Sequence, residues 1–150
     1  MVGPPTEHAM KTPLHLWIFG GLSFFWNLVG VADFTLTQTR NRVYMAQFTP
    51  EQAAYFETFP AWVNLSWAIA VWAAFLGAIL LLLRKRLAPI CFAISLIATA
   101  ATAFQNFVLA NPPMTEIAGQ GALWFSLLVL VITCAQWLYA RAMRQARYLR

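Results

Sequence analysis

The chain has 150 residues, of which 61% are hydrophobic, 15% aromatic and only 10% charged. Soluble domains carry roughly 25% charged residues, so this composition excludes an ordinary soluble globular protein and points to a membrane protein. The net charge of +5 is no nucleic-acid footprint, because the ten Lys and Arg lie in short clusters at the ends of apolar runs.

Met1–Thr12 is polar and contains Pro4, Pro5, Glu7 and His8, so it reads as a loosely ordered leader. Residues 14–36 form the first apolar span, long enough to cross a hydrocarbon core of about 30 Å at about 1.5 Å per residue. A signal peptide is the rival reading. Its n-region would carry Lys11 alone, and the apolar run is too long and is broken by Asn27, which favours an uncleaved helix.

Thr37–Pro60 is the longest loop. Within it Thr49-Pro50-Glu51-Gln52 has the form of an N-cap, a first-turn proline and a capping-box glutamine, which predicts a short helix over residues 50–58. Tyr55, Phe56 and Phe59 would hold that helix at the membrane surface. The second span covers residues 61–83, the tight turn Arg84-Lys85-Arg86 comes next, and the third span covers residues 87–110 with Pro89 in its first turn. Asn111-Pro112-Pro113 stops it. The fourth span runs over residues 121–140 and leads into Arg141, Arg144, Arg147 and Arg150. The expected fold is therefore all-α: a single membrane domain built as a four-helix bundle, with an interfacial helix in its first loop.

Charge predicts orientation. Eight of the ten basic residues, namely Lys11, the three of the turn and the four of the tail, fall on one side if both termini are cytoplasmic. Asp33, Glu51, Glu57 and Glu116 fall on or near the other. In a bacterium the expected location is the inner membrane, with the tail near anionic headgroups.

Candidate site residues come from the polar groups inside the spans. Gly20, Ser23, Asn27, Gly30, Asp33 and Thr37 share an arc of roughly 140° on the first helix. Hydrocarbon cannot satisfy such a stripe, so it must face protein or a water-filled space. Asp33, Asn64, Gln105 and Asn106 lie at about one depth below the acidic side, with Asn27 deeper on the Asp33 face. Trp26, Trp62 and Trp67 would wall the cluster. These eight residues form a candidate ligand site, and the competing reading is a set of interhelical hydrogen bonds that only holds the bundle together. For Asp33 the competing reading is an ion pair with Arg40 or Arg42. Trp62 also suits an interface anchor.

No catalytic motif, intramembrane carboxylate pair or axial histidine pair is present. Cys91, Cys134, His8 and His15 have no ligand spacing, so no enzyme activity, metal or cofactor is expected.

The run Phe25-Trp26-Asn27, Gly30, Asp33-Phe34, Thr37-Gln38-Thr39-Arg40-Asn41, then Phe48-Thr49-Pro50-Glu51-Gln52, Tyr55, Phe59-Pro60-Ala61-Trp62 and Trp67-Ala68 resembles an uncharacterised family of small four-helix inner-membrane proteins of proteobacteria. Some of its members are loosely labelled sugar transporters. The resemblance covers mainly the first half of the chain and brings no assigned site residues. Two functions are carried forward. One is binding of a small polar, sugar-like solute or a lipid, or its transport by a homo-oligomer. The other is an accessory or structural subunit of a larger membrane complex.

Overall fold

The computed structural model describes residues 11–150; Pro4, Pro5, Glu7 and His8 of the leader lie outside that range. The described residues form seven helices and no strand. They are α1 (Leu14–Gln38), α2 (Arg42–Met45), α3 (Pro50–Glu57), α4 (Ala61–Leu82), α5 (Ala88–Phe104, continued by a π-helical turn over Gln105–Leu109), α6 (Met114–Ala118) and α7 (Gln120–Gln145). Four of them, α1, α4, α5 with its π turn, and α7, are long and apolar enough to span a membrane. The chain is a multi-pass, all-α membrane protein.

The four long helices pack in the order α1, α4, α5, α7. Lipid tails are as apolar as leucine, so burial alone does not drive helices together there; close packing and interhelical hydrogen bonds must. The sequence supplies both. Ala70, Ala74, Gly77 and Ala78 are the buried face of α4, and Phe92 of α5 lies against Gly77 with no exposed surface. Ser66 Oγ donates to the Ala98 carbonyl at 3.0 Å and Ser95 Oγ to the Ala70 carbonyl at 2.6 Å, a reciprocal pair across the α4–α5 hairpin. On α1 the small and polar stripe faces inward, with Gly20, Ser23, Asn27 and Thr37 buried.

The bundle has two chemically distinct ends. At the first, Leu16, Ala78, Leu81, Ala88, Phe92, Ala140 and Leu149 form a closed core. Phe19 stacks on Tyr139 at 4.0 Å there, and His15 Nδ1 shares a 2.5 Å hydrogen bond with the Tyr139 hydroxyl. Lys11, the Arg84–Arg86 turn and the α7 arginines gather at this basic end. The other end carries Asp33, Glu51, Glu57 and Glu116, together with α2, α3 and α6.

Three helices stop in the same way, and each does so on an arginine. Arg40, Arg84 and Arg147 have φ of 49°, 55° and 62°, the left-handed region in which glycine is the usual residue. In each case the next N–H reaches back to a carbonyl of the last turn: Asn41 to Leu36 at 3.0 Å, Lys85 to Leu80 at 2.7 Å and Tyr148 to Met143 at 3.0 Å. This satisfies carbonyls that a helix end would otherwise leave bare.

Candidate functional site

The acidic end is built by the loop between α1 and α4, which folds back over the bundle. Asn41 caps α2 by accepting from the Tyr44 N–H at 3.0 Å. Thr49 and Gln52 close a complete capping box on α3, with Pro50 in its first turn. These local stops aim three side chains at the membrane helices. The Tyr44 hydroxyl donates to Asp33 Oδ1. Tyr55 is buried and its hydroxyl donates to the Asn106 carbonyl at 3.5 Å. Phe56 stacks on Trp67 at 6.3 Å, while Phe59 and Phe34 meet the same indole edge-on at 6.4 and 5.1 Å.

The candidate residues therefore divide into groups. Asp33 is half-buried and paired with Tyr44, whereas Arg40 turns away to an exposed 3.3 Å ion pair with Glu57. That replaces the Asp33–Arg40 and Asp33–Arg42 pairings offered as its alternative. Asn64 accepts from Gln38 Nε2 at 3.0 Å and donates from Nδ2 to the Phe59 carbonyl at 3.5 Å. Trp67 belongs to the aromatic cap. Trp26 and Trp62 are 36% and 47% exposed and make no aromatic contact with the Trp67 cluster among the described residues.

Asn27 and Asn106 form the last group. Both are buried, yet Asn27 Nδ2 and Asn106 Oδ1 have no hydrogen-bond partner among the described residues, and neither has Thr37 Oγ1 or Gln136 Oε1. Asn106 owes its position to the π turn. The Ala110 N–H bonds the Gln105 carbonyl at 2.8 Å, five residues back, so one extra residue is accommodated and Asn106 is rotated inward. Gln105, at the start of that turn, is only half-buried.

Two residues that matter here were not singled out from sequence. Tyr44 carries no periodic signal, since it stands in a four-residue helix. Gln136 was legible: with Thr133 and Ala140 it recurs at three- and four-residue steps and forms the buried stripe of α7.

A cavity of about 80 Å³ also lies at this end, lined by Phe48, Gln52, Tyr55, Phe56, Met114, Ile117 and Ala118 between α3 and α6. It is apolar and separate from Asp33. No protein-family model, curated protein or solved structure matches the chain.

The electrostatics agree with the geometry. Burial, the hydrogen bond to Asp33 and the nearby carboxylate charge push the Tyr44 phenol up to about 12, so at neutral pH it stays protonated and donates. Burial likewise raises the Tyr55 phenol. Chemically the acidic end offers amides and hydroxyls beside an aromatic cluster around Trp67. It can bind by hydrogen bonding, and among the described residues no group of His, Cys, Asp and Glu is arranged to hold a metal.

Proposed function

We propose that the chain is a non-catalytic integral membrane protein that binds a small polar, sugar-like solute within its bundle, below a loop latched by Tyr44 and Asp33. One observation carries this reading: the buried amides of Asn27 and Asn106 have hydrogen-bonding atoms with no partner among the described residues. Leaving a buried donor or acceptor unmade costs about 1–3 kcal/mol, and such groups are accounted for when a ligand or solvent supplies the missing bond. A polyhydroxylated solute matches them in kind, offering both donors and acceptors, and the Phe34–Phe56–Phe59–Trp67 cluster suits the apolar face of such a molecule. The resemblance to the proteobacterial family with its loose sugar-transporter label points the same way. On this reading the basic end is cytoplasmic, both termini are inside, and the membrane is the bacterial inner membrane.

The test uses the full chain in detergent and a panel of mono- and disaccharides, reading solute-dependent thermal stabilisation. Asn27→Leu should fold as stably as the parent, because it removes an unpaired buried donor, and should lose the solute response. A parent that responds to no member of the panel would sink the proposal.

A second reading, an accessory subunit of a larger membrane complex, is favoured by a different observation. Asp33 and Asn64 are closed by internal hydrogen bonds, and the cavity at this end is apolar. Extraction of native membranes in mild detergent separates the two: stoichiometric protein partners support the subunit, and a homogeneous homo-oligomer or monomer supports the solute binder.

A further inference from the structure

The basic end is more than a row of flanking charges. The last residues of the described chain fold back on the turn between α4 and α5: the Arg150 N–H donates to the Arg84 carbonyl at 2.6 Å, and the Arg86 N–H donates to the Arg150 carbonyl at 3.1 Å. Leu149 is buried to 1% exposure in the core beside Leu81, Ala88 and Phe92, which anchors the segment from below. Arg84, Arg86, Arg147 and Arg150 are thereby gathered from two distant parts of the sequence onto one fixed surface.

One feature sets this cluster apart from the arginines at the other end. The four described side-chain carboxylates are at that opposite end, and the one ion pair among the described residues, Arg40 with Glu57, is there too. The Arg84 guanidinium donates to the Thr12 hydroxyl, which orients it without neutralising it. Arg86, Arg147 and Arg150 are exposed.

We propose that this latched arginine cluster is a docking surface for anionic phospholipid, taking the headgroup phosphate of a lipid in the leaflet that faces the basic end. The depth fits: the cluster lies where the helices leave the apolar core, and Arg141 sits 5.7 Å over the ring of Trp137, an aromatic of the kind found at headgroup level. Guanidinium forks match phosphate oxygens in pairs, and each basic residue near an anionic surface is worth about a fivefold gain in association. Holding their backbone in place in advance reduces the ordering cost that a free tail would meet on binding.

The experiment is native mass spectrometry of the full chain released from mixed micelles holding equal phosphatidylglycerol and phosphatidylcholine. The parent should retain phosphatidylglycerol at least about fivefold over phosphatidylcholine, and Arg86→Gln/Arg150→Gln should reduce that preference at least about fivefold with unchanged helix content by circular dichroism. Arg40→Gln/Arg42→Gln, at the opposite end, should keep it. Should the first double variant misfold, the parent in about 0.5 M salt serves instead, and its preference should fall in the same way. Equal retention of the two lipids overturns the proposal, as does a preference untouched by the first double variant or by salt. Equal loss in both double variants overturns the location. Complete competition by millimolar inorganic phosphate assigns the surface to a soluble anion and overturns the lipid.

Discussion

The Tyr44 hydroxyl donates to the Asp33 carboxylate, tying a four-residue helix in the loop to the last third of α1. Asp33 is the only acidic residue within the four long helices, and its partner comes from outside the apolar segment. The bond thus satisfies an intramembrane carboxylate and docks the loop in one interaction.

Tyr44→Phe should therefore release the loop. Hydrogen bonds to charged groups are worth about 1.5–3 kcal/mol, so we expect a loss of that order in thermal stability together with faster proteolysis between Arg42 and Phe59. Asp33→Asn keeps an acceptor for Tyr44 and should cost less than Tyr44→Phe; the reverse order would show that the bond is not the latch.

The same pair predicts a titration. A phenol whose folded value lies at about 12, above its ordinary 10.0, contributes stability that is fully present below pH 10 and is lost as pH rises toward 12. Ultraviolet absorbance of the phenolate should reveal a tyrosine that resists ionisation until near pH 12, and the late-ionising absorbance should fall by one tyrosine in Tyr44→Phe while the buried Tyr55 phenol keeps its own raised titration.

Packing across the α4–α5 hairpin gives a contrast between glycines. A Cβ on Gly77 would sit 3.1 Å from the Phe92 ring, and that ring is fully enclosed. Gly77→Ala should cost about 1–3 kcal/mol by overpacking. Gly21 has open space around it, so Gly21→Ala should be neutral or gain up to about 1 kcal/mol from helix propensity. Thermal denaturation in one detergent measures both.

The reciprocal serines of this hairpin should contribute little each. Interhelical hydrogen bonds in membrane proteins average about 0.6 kcal/mol, so Ser66→Ala and Ser95→Ala together should lower stability by about 1 kcal/mol without changing helix content. A loss several times larger would mean that the hairpin depends on them for its register.

Arg147→Gly should raise stability by about 1 kcal/mol, since the left-handed conformation disfavours any Cβ. Chemical denaturation of parent and variant decides this, and a loss would mean that the guanidinium holds the tail in place.

Much of the fold was legible because the membrane imposes simple rules. Span length, Pro50 and Pro89 near helix starts, the Thr49–Gln52 capping box and the inward stripe of α1 are all consequences of residue type and spacing. Helix ends were less legible. The first span was expected to end at Leu36 and the last at Ala140, yet α1 reaches Gln38 and α7 reaches Gln145, because hydropathy marks where lipid ends rather than where backbone bonding does. The site was half legible. Polar residues that must face inward were found by their periodicity, but pairings such as Tyr44 with Asp33 join segments that no spacing relates. The π turn was invisible, since Gln105-Asn106-Phe107-Val108-Leu109 has no residue that demands it.

That turn has a genetic corollary. An α-helix closes its bonds in four residues and this turn in five, so the inward position of Asn106 is set by a single residue of length. Deleting one residue from the turn would rewind it and swing one flank against the other by about 100°, carrying the amide toward hydrocarbon while the composition of the helix hardly altered. A trait encoded as length rather than identity can be gained or lost in one in-frame codon event, and a substitution scan would pass over it.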